Sequence, residues 1–209
     1  MRRPLSGRRS VPTPTWQDWV TNASLCEQSL TYFEGKAQVK ILNPTQARED
    51  ILGHLRKAFH NLTLANQIFD ATQKNQLTLK YPGENFYDWT VTISYYAMYQ
   101  AALAALAAVR KAGENHTATV CALIYHYVHK KKRLHERYLL SIDTIKTLAD
   151  QDVQKLIEKR FQREQASYDT SITTELGIAN SALTDAREFV LAIRAILEDG
   201  LGKDFLRDV

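Results

Sequence analysis

The stretch "SYYAMYQAALAALAAV", Ser94 to Val109, contains no charged residue, no glycine and no proline. Alanine, leucine and methionine are strong helix formers, so the stretch predicts a helix. Its apolar residues run nearly all the way round the axis. A helix with no polar face belongs at the centre of a bundle, not on its surface. Ala97, Ala101, Ala104 and Ala108 line one face as a ridge of small side chains, which lets a neighbouring helix backbone come close. Tyr95 and Tyr99 share a face at i,i+4, as do Tyr96 and Gln100. A tyrosine buried at a helix crossing needs a partner for its hydroxyl. The pair reads either as core with a hydrogen-bonded rim or as the aromatic wall of a pocket.

Outward from this helix, placed over about Phe86 to Lys111 with Gly113 as its C′ residue, two seams fix the fold class. Ile51, Leu55, Ala58, Leu62, Ala65 and Phe69 alternate steps of four and three, as do Ile172, Leu176, Ala179, Leu183, Ala186, Val190, Ile193 and Leu197. These are one-faced helices, the first announced by Asn43-Pro44-Thr45 and the second spanning about Ser171 to Glu198. A helix from Thr15 to about Phe33 turns Trp16, Trp19 or Val20, Ala23 and Leu30 inward and stops at Gly35. Further helices are expected over Asn115 to Leu134 and Gln151 to Ser167, with a short extended linker at Gln38 to Leu42. No segment alternates convincingly with period two. The expected fold is an all-α up-and-down bundle over 43–201, with a flexible basic arm at 1–14, an N-terminal helix and linker at 15–42, and a tail at 202–209.

The chain has 209 residues, 27 Lys and Arg against 23 Asp and Glu, and a formal charge of +4, which permits contact with a polyanion without requiring it. Arg2, Arg3, Arg8 and Arg9 crowd the first ten residues. Cys26 and Cys121 belong to no CxxC pair and read as isolated buried thiols of a reducing compartment. No run reaches the ~18 apolar residues of a membrane span, and no apolar core follows the basic N-terminus as in a secretory signal. The expected location is cytoplasmic, without membrane contact.

Two charged passages are functional candidates. In "HYVHKKKRLHER", continuing a helix whose inner face is Val120, Ile124 and Tyr127, the residues His126, His129, Lys130, Arg133 and Arg137 fall on the opposite side. They read either as a solvated face or as a strip that tracks RNA phosphates. The lysines repel a cation, so His126 and His129 are not expected to bind a metal. No cofactor is expected: glycine-rich phosphate loops and zinc patterns are missing. In "RFQREQASYDT", Arg160 to Thr170, the residues Arg160, Arg163 and Ser167 lie within about 60° on a regular helix. Glu164 can pair with Arg160, and Asp169, Thr170 or Ser171 can cap the next helix. The passage is an exposed salt bridge at a helix stop or an anion-binding edge.

"TISYYAMYQAALAAL", then "NHTATV" after a short turn, then "REQASYD" opening into a long last helix, resembles the HEPN domain. The likeness is to the branch with Ser-x-Tyr-Tyr-Ala-Met and Arg-x-x-x-x-Tyr-Asp motifs, over about Asn43 to Leu201. It implies a four- or five-helix bundle that dimerises. Many relatives are metal-independent ribonucleases using Arg-x(4–6)-His, where His moves protons and Arg holds the phosphate. Others bind nucleotide, or pair with a small nucleotidyltransferase in toxin–antitoxin modules. Here the position of the histidine, five residues after Arg163, is Tyr168, and a phenol with a reference pKa of ~10 is a poor proton shuttle at neutral pH. The spacing recurs at Arg110 and His116, across a helix end. The expectation is an HEPN-like binding or regulatory module for RNA or nucleotide, homodimeric, with Arg160, Arg163, Tyr168 and Asp169 as its anion-binding edge. The rivals are a metal-independent ribonuclease with Arg110 and His116 as its catalytic candidates, and a structural helical subunit of a larger assembly.

Overall fold

The structure, a computed structural model, describes residues 14–77, 85–163, 176–207 and 209, and side chains within these ranges other than those of 151–163. It is an all-α bundle. Helices α1 (Trp16–Thr21) and α2 (Ala23–Gly35) precede strand β1 (Val39–Ile41). Helices α3 (Pro44–Gln73) and α4 (Tyr87–Ala108), strand β2 (Lys111–Gly113) and α5 (His116–Leu123) follow. A π-helical segment, Ile124–Lys130, continues α5. Helices α6 (Arg137–Arg163) and α7 (Leu176–Leu201) and a 3₁₀ turn at Lys203–Leu206 complete the chain.

Helix α4 is the centre: α3, α5, α6 and α7 all pack on it. Val91, Ala97, Met98, Ala101, Ala104, Ala105 and Leu106 are fully buried. By length and composition α4 is also apolar enough to cross a membrane, contrary to the reading that no run reaches that length; in the bundle other helices pack on it and leave Trp89 and Tyr96 half exposed. The α3 seam is buried from Ile51 to Phe69, and Asn43 starts the helix by accepting the Gln46 N–H at 2.9 Å, with Pro44 in the first turn. On α7 the seam is buried from Ala179 to Leu197, but Leu176 is 46% exposed; Ser171 and Ile172 lie outside the described residues.

Several boundaries differ from those expected. The first helix is two, because Asn22 leaves helical geometry and its side chain caps α2 by accepting the Leu25 N–H at 3.0 Å. Ala23 is exposed, whereas Trp19 and Leu30 are buried. Gly113 does not end α4. Arg110 takes the left-handed conformation there, with φ 58°, and the chain turns back as β2, antiparallel to β1 with Val39 opposite Gly113. Gly113 is glycine for another reason: a Cβ would lie 2.1 Å from Thr119 Oγ1. Helix α6 begins at Arg137, not near Gln151, and buries Leu139, Ile142, Ile145 and Ala149.

Residues from α1, α2 and the C-terminal turn join the same core as the bundle, through Trp19, Cys26, Leu30, Phe33 and Leu206.

Ala101→Leu and Ala104→Leu each add a branched side chain where none of the native residue is exposed. Each should destabilise by about 1–3 kcal/mol, read as a lowered midpoint in thermal melts.

Candidate anion-binding groove and the tyrosine–histidine cluster

Between Lys130 and Arg137 the chain leaves the helix. Lys132 adopts φ 51°, and the Arg133 and Leu134 N–H groups both donate to the Tyr127 carbonyl, at 2.8 and 3.1 Å. Tyr127 is fixed in turn, since its hydroxyl donates to the Ala105 carbonyl of α4 at 2.6 Å and Leu134 is buried beneath the turn. This pinned corner carries Arg133, His135 and Arg137 to the face of α7. They line a groove of about 540 Å³ with Tyr138, Ala192, Ala195, Ile196 and Asp199. Arg133 Nη2 meets Asp199 Oδ2 at 2.5 Å. Arg137 Nη2 donates to the Tyr138 hydroxyl at 2.8 Å and lies 3.6 Å from Glu188 Oε2. His135 Nδ1 accepts the Arg137 N–H at 3.1 Å. Both arginine side chains are well exposed, at 44% and 62%.

The five residues read as one basic strip therefore divide. His126, His129 and Lys130 lie on the π-helical segment, toward α1 and α2. His129 Nε2 bonds to the Trp19 carbonyl at 2.8 Å, and Lys130 sits 5.1 Å from the centre of the Tyr125 ring. His126 packs edge-on to Tyr125 with its Nε2 buried and unpartnered; burial, then the nearby Lys111, lowers its pKa. Only Arg133 and Arg137 face the groove. The strip is broken because the α-helix assumed to run to Leu134 ends at Leu123 and widens to a π-helix, which shifts every later side chain round the axis.

A second cluster forms where α4, the start of α5 and α6 meet. The Tyr95 hydroxyl lies 3.1 Å from His116 Nδ1, and the Tyr99 hydroxyl 3.4 Å from Thr119 Oγ1. The Tyr95 and Tyr99 rings stack at 6.0 Å, and Tyr99 stacks on His116 at 6.3 Å. Asn115 presents His116 by capping α5, accepting the Ala118 N–H at 2.9 Å. Burial, then Lys146, pushes the His116 pKa down to about 4, against the opposing pull of Asp143 and Asp150. Burial, then Tyr99, raises that of Tyr95, so its hydroxyl stays protonated. His116 and Asp143 also line a cavity of about 260 Å³ with Trp16, Trp19 and Thr117.

Arg110 does not join His116. Its Nε donates to the Leu42 carbonyl at 3.0 Å, and Leu42 N–H returns a bond to the Arg110 carbonyl at 2.9 Å. It stands beyond the far end of α4, about 20 Å of helix from Tyr95, and serves to tie α4 to the β1 end. Arg160 and Arg163 occupy the last turns of α6; their side chains, and Tyr168 and Asp169 altogether, lie outside the described residues. Among the described residues no three His, Cys, Asp or Glu side chains converge as a metal site would require. His135, Tyr138, Glu188 and Asp199 were not picked out by sequence. Tyr138 follows Arg137 directly, but nothing local signals that α7 supplies the two carboxylates.

Set against known proteins, the chain matches no family model, no curated protein and no solved structure.

The His116 pKa of about 4 lies below the 6.5 of an unperturbed histidine. Between these values the unfolded chain binds more protons, so the contribution is fully present above about pH 6.5 and is lost as pH falls toward 4. Its ceiling is about 3 kcal/mol. Urea unfolding at neutral pH and near pH 4.5 should show that loss, and His116→Gln should lose less over the same interval.

Proposed function

We propose that this chain is an HEPN-like helical module that binds RNA or a nucleotide through its phosphates, with the groove at Arg133, His135 and Arg137 as the contact surface. The observation that carries the reading is that groove, where two exposed guanidiniums, an imidazole and a phenol hydroxyl face one open space. The arginines are occupied by Asp199 and Glu188, but exposed ion pairs contribute only ~0–1 kcal/mol. A phosphate offers charge-assisted, bidentate bonds of about 1.5–3 kcal/mol each, so it can displace them. The edge formed by Arg160, Arg163, Tyr168 and Asp169, inferred from the family resemblance, is a second contact for an anion or for a small nucleotidyltransferase of a toxin–antitoxin pair.

Binding is favoured over ribonuclease activity by the state of His116. It is half-buried and neutral at physiological pH, its Nδ1 is engaged by Tyr95, and Arg110 is elsewhere. A general acid must hold a proton near the working pH, and this histidine does not.

The decisive measurement is RNA binding across a salt series by the parent and by Arg133→Ala/Arg137→Ala. The double variant should bind at least about tenfold more weakly, and its slope against log salt should flatten by roughly 0.7 for each lost phosphate contact on single strands. The parent should not cleave. An unchanged slope, or cleavage abolished by His116→Ala, would reverse the reading.

Dimerisation is part of the proposal. Trp89 and Tyr96, seven residues apart on one face of α4, are each 50% exposed, an aromatic strip suited to a second chain. Light scattering should give twice the 23.9 kDa of one chain, and Trp89→Glu/Tyr96→Glu should return it to one.

A further inference from the structure

The two cysteines of the chain, 95 residues apart in sequence, meet in the interior. Cys26 Sγ donates to the Cys121 carbonyl at 3.6 Å, and Cys121 Sγ donates to the Cys26 carbonyl at the same distance. Each sulfur thus lies against the other residue's backbone, which makes the two side chains direct neighbours in the interior. Neither residue is exposed. Cys26 is on α2 and Cys121 on α5, so the pair sits in the seam between two parts of the molecule. Helices α1 and α2 pack mainly on α5, its π-helical continuation and β1 rather than on α3, α4, α6 or α7. They form a cap on one side of the bundle. The cap is further held by the His129 bond to Trp19, by the Tyr125 hydroxyl on Glu27 at 2.7 Å and by Lys111 on Glu34 at 2.6 Å.

We infer that Cys26 and Cys121 are a dithiol site that closes to an intramolecular disulfide and clasps the α1–α2 cap to α5. The oxidant is a low-molecular-weight disulfide. One protein thiolate attacks a sulfur of that disulfide, forming a mixed disulfide and expelling one small thiolate. The second protein thiolate then attacks the protein sulfur of the mixed disulfide and expels the other. Two S–H bonds are lost, one S–S bond forms in the protein, and the small disulfide leaves as two thiols. The partnered Cys26 thiol and burial both raise the Cys121 pKa, so the closed cap resists attack. Reaction therefore proceeds through transient lifting of the cap. Once formed, the bond is shielded from reductants by the same packing.

The test uses the full-length chain, dilute, equilibrated overnight with oxidised glutathione in urea well below the unfolding midpoint, so that opening of the cap does not limit the reaction. The expected product has lost the mass of two hydrogens, carries no glutathione and yields a tryptic species joining the Cys26 and Cys121 peptides. Its melting midpoint should rise by about 5 °C or more, and amide exchange in α2 should slow by about tenfold or more. Cys26→Ala and Cys121→Ala should each show neither the cross-link nor the rise. Two free thiols after equilibration, two glutathiones per chain, or a disulfide between chains would each overturn the inference.

Discussion

The constraint on which the fold depends is that α4, apart from the strip at Trp89 and Tyr96, has no side it can give to water. Residues from Val91 to Ala107 are largely buried, and each large apolar side chain among them is worth about 1.5–3 kcal/mol when removed from solvent. One neighbour cannot cover such a cylinder. The long α3 covers one side and α7 another, and α6 and α5 complete the enclosure. The alanine ridge makes this possible, because backbones can approach only where side chains are small. Gly113 obeys the same logic: β2 folds back so tightly that Thr119 occupies the space of a Cβ. The close approach of α4 to its neighbours therefore dictates residue choice well beyond α4.

The groove is a consequence of that packing rather than a separate invention. Helix α5 cannot continue straight past the end of α4 and remain covered. It widens into a π-helix and stops, and the Tyr127 carbonyl that the stop frees accepts the N–H groups of Arg133 and Leu134 from the turn beyond. Tyr127 in turn bonds to the Ala105 carbonyl near the C-terminal end of α4, so the corner is anchored to the core by a buried hydroxyl. The break between α5 and α6 leaves Arg133, His135 and Arg137 on a short rigid turn, which positions charge better than a free side chain on a continuous helix. The carboxylates of Asp199 and Glu188 on α7 pair with the two guanidiniums, at little energetic gain for such exposed ion pairs.

Much of this was legible in the sequence, and the misses have physical reasons. The seams of α3 and α7, the Asn43 cap and the core role of α4 follow from helical periodicity and composition. Leu139, Ile142, Ile145 and Ala149 keep the same periodicity, but the lysines and arginines before them resemble one solvated face running on from α5 and hide the start of α6. The strip of five basic residues rested on an unbroken α-helix. Nothing in "HYVHKKKRLHER" marks a π-helical segment, and Lys132 lacks the glycine or asparagine that usually signals φ > 0. Pairing between distant residues is the other blind spot: Cys26 with Cys121, Arg133 with Asp199 and Tyr95 with His116 have no local signature, since each depends on how the helices stack.

His116 shows why a motif spacing is weak evidence of chemistry. Arg110 and His116 have an Arg-x(4–6)-His spacing, but the chain between them contains β2, which runs back along α4 and carries the two residues apart. Arg110 is bonded to Leu42, where its Nε satisfies a backbone carbonyl beside the sheet. The environment of His116 is internally consistent with a structural role. Aromatic rings cover it, a tyrosine that keeps its proton can donate to Nδ1, and burial outweighs the two carboxylates that favour protonation. A histidine that must give and take a proton within one turnover needs a pKa near the ambient pH and an open approach to its free nitrogen. Here burial holds the pKa well below that range. The arrangement instead holds the start of α5 against α4 and α6, the point from which the rest of α5 and the groove-bearing corner are set.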